Sequence, residues 1–137
     1  MSEALVLAPR EVAREQLRLI TARCYDELAD LYAEDAVVEL PFSSPRLRIE
    51  GRGGVLARFR DLGERIELQV RQATVHDTLD PEVVVSEFDC HAYVPSTGRE
   101  LDVTNVVIMR VRDGRIVCSR DFHDHAAFAR AFAGQPA

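Results

Sequence analysis

The stretch RVRDGRIVCSRDFHDHAAFARAF, residues 110–132, decides the fold. It reads as the end of one strand, a tight Arg-Asp-Gly turn, a second strand over 115–123, a cap at Asp124, and a helix whose Phe128 and Phe132 stand one turn apart. Side chains alternate across a strand, so Asp121 and His123 share a face. Were the strand to run on through His125, a carboxylate and two imidazoles would project together, a set that suits zinc or iron(II). Asp124 argues against this, because a cap there puts His125 into the helix and turns it away.

Working outward, a period of two marks three earlier strands, 65–78, 82–94 and 99–112. The connections LDPE, PSTG and RDG are too short for a crossover helix, which predicts an antiparallel meander. Upstream, Pro9 opens an amphipathic helix with Val12, Ala13, Leu17 and Ile20 on one stripe. In YDELADLYAEDA the helical spacing continues through Leu28, Leu31 and Tyr32; AVVELPF is a short strand stopped by Pro41; SSPRLRIEG is a loop. A third helix, GGVLARFRDLG, puts Val55, Leu56 and Phe59 on one face and ends at Gly63. Helices must cover one face of such a sheet to bury it, so the expected class is α+β, with helices packed into a strongly curved antiparallel sheet that forms a cone around an internal pocket. One domain spans residues 1–137.

Composition narrows the chemistry. The net charge is −6 and the arginines are interleaved with acids, which leaves no electrostatic footprint for nucleic acid. No apolar run approaches the ~20 residues of a spanning helix, and the N-terminus MSEALVLAPREVARE does not read as a secretion signal, so no membrane association and a cytoplasmic location are expected. The three cysteines, Cys24, Cys90 and Cys118, form no C-x-x-C pair and suit reduced thiols. All 17 basic residues are arginine. Without lysine there is no side-chain Schiff base, no P-loop lysine and no pyridoxal anchor, and GRGG at 51–54 is a turn before a helix. No G-x-S-x-G elbow exists to present a nucleophilic serine.

The strings DELADLYAEDAVVELPF, IEGRGGVLARF and RVRDGRIVCSRDFHDHAAFARAF span nearly the whole chain, and with the order of elements they resemble the ketosteroid isomerase and SnoaL-like polyketide cyclase superfamily, also called the nuclear transport factor 2-like fold. The resemblance implies an apolar pocket between the curved sheet and the helices, with a few acids at its base. The RDF string looks like the end of limonene-type epoxide hydrolases and SnoaL-like cyclases, which implies an inward acid or base at Asp121. Placed on the PSTG turn, the strand SEFDCHAY matches Asp89 to the epoxide hydrolases' second aspartate and Glu87 to their arginine, breaking that triad; placed from the other end it shifts by one residue and the opposite face turns inward. The ketosteroid isomerases' base falls near Glu39 or Leu40 in VELPF.

The expected catalytic groups are therefore Asp121, His123 and Asp89, with Asn105, His91, Glu39, Val103, Val107, Met109 and Phe128 as ligand-binding positions, and no metal or other cofactor. Asp121 as base, with Asn105 or His123 as oxyanion partner, suffices for isomerisation, cyclisation or hydration of an apolar, polyketide- or steroid-like substrate. Each residue also has a structural reading: Asp121 as a surface pair with Arg110, Arg112 or Arg120, His123 and His91 as packed imidazoles, Glu39 as a solvated strand residue. A non-catalytic module that binds a small apolar ligand in the same pocket is the alternative function. Apolar residues such as Val106 and Ile108 on the sheet's other face suggest a homodimer.

Overall fold

The hairpin at the end of the chain holds the middle of the sheet. In the computed structural model, which describes residues 6–133, the chain runs α1 (Pro9–Ala22), α2 (Tyr25–Asp30), β1 (Tyr32–Leu40), β2 (Leu47–Glu50), α3 (Gly51–Arg65), β3 (Glu67–Asp77), β4 (Val83–Val94), β5 (Arg99–Arg112), β6 (Arg115–Phe122) and α4 (His125–Phe132). The sheet order is β2-β1-β6-β5-β4-β3. Asp113 and Gly114, at φ 53° and 75°, are the two left-handed residues between β5 and β6, the backbone that a two-residue hairpin with right-handed twist requires. The meander β3 to β6 is antiparallel as expected, but β1 joins β6 in parallel, so the sheet is mixed.

Three segments differ from the sequence reading. GRGG, expected as a turn before the third helix, is the first turn of α3 itself, which runs on past Gly63 to Arg65. YAED continues no helix: α2 stops at Asp30 and β1 begins at Tyr32. Pairing with β6 outweighs helical spacing here, since Ile116 N–H donates to Leu31 C=O at 2.7 Å and Tyr32 is buried completely. LRIE, expected within a loop, is the short edge strand β2, with Leu40 opposite Leu47 and Val37 opposite Glu50.

Register shifts interrupt the β1–β6, β3–β4 and β5–β6 ladders, with the extra residues on β1, β3 and β6, sites where a ladder bends. The resulting curvature brings both ends of the sheet to one helix: α3 packs on β1 and β2 at one edge and on β3 at the other. Helix α1 covers β3, β4 and β5, with Val12, Ala13, Leu17 and Leu19 buried. At its start Pro9 takes the first turn and Glu11 accepts the Ala8 N–H. Helix α4 closes over β5, capped by Asp124, whose Oδ1 accepts the Ala127 N–H at 2.9 Å. Among the described residues no helix is long and apolar enough to cross a membrane.

The concave face carries Val84, Ser86, Phe88, Cys90, Ala92 and Val94 of β4 and Val103, Asn105, Val107, Met109 and Val111 of β5, all buried. The convex face is polar and tied by its own pairs: Arg110 and Arg112 with Glu82, His76 with Glu87, His91 with Asp102 and Glu100. Val106 and Ile108 lie there half-buried.

Near the C-terminal end of α3, Gly63 leaves room for the Tyr25 ring, which stacks on Phe59 with centroids 6.4 Å apart. A Cβ at Gly63 would fall within 2.6 Å of the Tyr25 ring carbons. Gly63→Ala should therefore cost about 1–3 kcal/mol in chemical denaturation; unchanged stability would mean that the ring swings clear. The homodimer proposed through the convex face predicts sedimentation at twice the 15.4 kDa chain mass at micromolar concentration; a species of the single-chain mass alone would sink it.

Candidate active site

Alternation along β5 and β6 builds the site. Val107 stands opposite Asp121 in the β5–β6 ladder, and Asn105 stands opposite Phe88 in the β4–β5 ladder. Two residues beyond Asp121 and one past the end of β6, which stops at Phe122 rather than at 123, His123 reaches back to Asn105, with Nδ1 2.8 Å from Oδ1. These side chains face a cavity of about 320 Å³ between the sheet and helices α1, α3 and α4, near the lower end of the size range for ligand pockets. Its walls are mostly apolar: Val38 and Leu40 of β1, Val55, Phe59 and Leu62 of α3, Phe88 of β4 and Phe128 of α4. Tyr32 and Gln16 make a buried floor, Gln16 Nε2 donating to Tyr32 Oη at 2.7 Å.

Burial sets the electrostatics. It pushes the Asp121 carboxyl up from 3.8 to about 6, against the Ser119 hydroxyl, which donates to Oδ1 at 3.0 Å, and against the charge of Arg58. It holds the His123 imidazole down at about 4, with the neighbouring His125 and Arg58 adding to the effect. His125 is lowered too, first by burial and then by Arg58, while Asp124 opposes. At neutral pH the cavity thus holds an ionised carboxylate close to its titration point beside a neutral imidazole. With Asn105 Oδ1 accepting, His123 carries its proton on Nδ1 and keeps Nε2 as an acceptor. This arrangement can take a proton from a bound molecule and return it elsewhere.

Asp121, His123, Asn105, Val107 and Phe128 come together at the cavity. The remaining expected positions do not. Asp89 is exposed on the convex face, accepting from Thr104 at 2.7 Å. His91 is beside it, bonded to Asp102 and Glu100, whose carboxylates raise its pKa. The inward face of β4 is the apolar one, Phe88 and Cys90, which settles the one-residue slip: burying Phe88 and Cys90 is favourable, whereas burying Glu87, Asp89 and His91 is costly. Glu39 also points outward, between Arg48 of β2 and Arg120 of β6, while its neighbours Val38 and Leu40 line the cavity. Val103 and Met109 face inward but are packed in the core rather than on the cavity wall.

His125 corrects another expectation. Asp124 is the cap, yet His125 does not turn away: it lines the cavity with its ring edge-on to His123, centroids 5.8 Å apart. Among the described residues no three His, Cys, Asp or Glu side chains converge as a metal-holding set. Sequence reasoning missed Arg58, Ser119 and Gln16. For Arg58 a signal was present: Val55, Arg58, Phe59 and Leu62 recur at helical spacing, so the arginine sits on the apolar stripe of α3.

A family model described as a SnoaL-like domain matches residues 13–119, ending just short of Asp121. The uncharacterised protein YesE of Bacillus subtilis is 30% identical over 128 residues, which cover 90% of this chain and 86% of that one. The crystal structure of a candidate isomerase from Bacillus subtilis superposes with a TM-score of 0.82 at 31% identity, over 94% of this chain and 98% of that one. A candidate polyketide cyclase from Xanthomonas campestris shares the fold, with a TM-score of 0.78 at 17% identity over 92% and 100% of the two chains. With its curved sheet, its helix-covered cavity and a match that spans most of its length, this chain belongs to the SnoaL-like domain family.

Proposed function

We propose that this protein is a cofactor-independent enzyme of small-molecule metabolism, in which Asp121 and His123 perform acid–base chemistry on an apolar substrate held in the cone. The observation that carries the reading is the carboxyl of Asp121, lifted to about 6 in an apolar cavity beside an imidazole held neutral. An acid tuned close to the working pH transfers protons in both directions, and the site offers no other carboxylate: among the described lining residues Asp121 is alone. Isomerisation fits this best, since one base can remove a proton from carbon and deliver it to a neighbouring carbon as the double bond shifts. Epoxide hydrolysis by a carboxylate pair is disfavoured, because Asp89 lies outside. The names of the Bacillus and Xanthomonas neighbours, a candidate isomerase and a candidate polyketide cyclase, support the same range of chemistry. A cavity of about 320 Å³ suits a one- or two-ring substrate better than a steroid.

Two experiments test the assignment. Asp121→Asn keeps the shape and removes the base, so turnover of a substrate found by screening ring ketones with native mass spectrometry should fall by about 10²- to 10⁴-fold, while wild-type activity rises with pH through about 6 as the carboxyl ionises. Wild-type rates in the variant would exclude Asp121 as the base, and a ligand retained but recovered unchanged would favour the silent binding module. The second readout is stability. A carboxyl whose folded pKa lies above its unfolded value binds more protons when folded, so wild-type stability falls as pH rises from about 4 through 6. Asp121→Asn should abolish that loss and exceed wild type by up to about 3 kcal/mol at alkaline pH, with the advantage gone below about pH 4 in thermal unfolding. A variant equally destabilised at all pH values would show that the carboxyl is not held in desolvated surroundings.

A further inference from the structure

Helix α3 carries four arginines along its length, and three of them are engaged. Arg52 donates to Tyr32 C=O at 2.9 Å, Arg60 pairs with Asp26, and Arg65 pairs with Asp61 at 2.9 Å while lying over the Phe132 ring. Arg58 has no hydrogen bond or ion pair among the described residues, although it is half-buried on the cavity wall between Val55, Phe59 and Leu62. Its charge is felt across the cavity, since it lowers Asp121, His123 and His125. A permanently charged guanidinium on an apolar wall is unfavourable without a counter-charge. Asp121 does not supply one by direct pairing: no ion pair joins the two, and desolvation outweighs the attraction of Arg58 at that carboxyl. Beside it, His125 has a buried Nε2 with no partner, a second unmatched polar atom at the same cavity.

We propose that Arg58 is a substrate-binding residue and that the natural ligand is an apolar carboxylic acid, its carboxylate held by the Arg58 fork and its ring lying against Phe59, Phe88 and Phe128. The inference rests on reading the cavity as a small-molecule site and adds the class of molecule. The planar fork of arginine matches the two oxygens of a carboxylate. A phosphate dianion fits worse, because the other lining arginine, Arg65, is already paired and Asp121 would repel it. Binding carries a proton signature. An anion on Arg58 offsets the charge that lowers Asp121, His123 and His125, so all three gain proton affinity and the complex takes up protons at neutral pH. The other titratable groups on the wall stay silent: burial raises the Tyr32 phenol and pushes the Cys90 thiol up to about 11, and Arg65 is tied to Asp61.

Calorimetry with naphthoate and its uncharged amide as probes tests this on the full chain without requiring turnover. Wild type should bind naphthoate at least about tenfold more tightly than the amide, with proton uptake for naphthoate alone when buffers of different ionisation enthalpy are compared. Arg58→Gln should bind the two equally, and Arg58→Lys, which keeps the charge without the fork, should retain part of the preference if Arg58→Gln fails to fold. Equal affinities in wild type, or an undiminished preference in folded Arg58→Gln, would overturn the assignment. The two readings fail separately: naphthoate preference with no effect of Asp121→Asn on turnover removes the proposed chemistry and leaves the ligand class, and the reverse pattern does the opposite.

Discussion

The register of β5 between its two neighbours determines which chemistry the cavity can hold. Val107 opposite Asp121 and Phe88 opposite Asn105 put the amide of β5, the acid of β6 and the imidazole just beyond β6 on the concave side, against the apolar face of β4. A slip of one residue on β4 would send Phe88 and Cys90 into water and bring Glu87, Asp89 and His91 inside. Burial of the apolar residues fixes the register, and the convex pairs reinforce it from outside, because His91 meets Asp102 and Asp89 meets Thr104 only in this alignment. The geometry of the cavity's polar groups is thus a by-product of hydrophobic alternation: positions 105, 121 and 123 are polar exceptions on faces that are otherwise buried.

Much of the architecture was legible because local signals agreed. The Asp113-Gly114 turn, the Asp124 cap and the period of two in β4 to β6 each point to the same layout, and β3 to β6 fall within two residues of the bounds read from sequence. The errors lie where tertiary pairing overrides local preference. YAED has helical spacing, but β6 pairs in parallel with its first residue, Tyr32, and again from Val37 onward, a contact distant in sequence that no local window contains. LRIE is too short to show a period of its own. Faces were harder than elements. β4 alternates apolar and charged residues, so its burial could be read from hydrophobicity alone, yet the resemblance drew attention to the carboxylates on the wrong side. Arg58 was overlooked for a related reason: a charge on an amphipathic helix is usually assigned to the solvated face, and only its i+3 offset from Val55 and i+4 distance from Leu62 place it inside.

His125 shows how a capping argument can be correct about backbone and wrong about side chain. Asp124 ends the strand and starts the helix as its hydrogen bond requires. The first residue of α4 still lines the cavity, because α4 packs on β5 and its first turn brings His125 edge-on to His123. Leaving the strand did not remove the imidazole from the site; it changed the direction from which it arrives.

The absence of lysine gives the cavity a persistent charge. A lysine at position 58 could relieve burial by releasing its proton, leaving a neutral wall. Arginine has no such escape, so the desolvation of its charge must be balanced by something negative nearby. Asp121 balances it only in part, since its own burial favours the protonated form and the two groups do not pair. Each therefore limits the other: a closer ion pair would stabilise the empty cavity but hold Asp121 ionised and well below the range in which it can exchange protons. Keeping them apart leaves the carboxyl near its titration point and leaves Arg58 without a partner, and both conditions are ones that a bound anion can use.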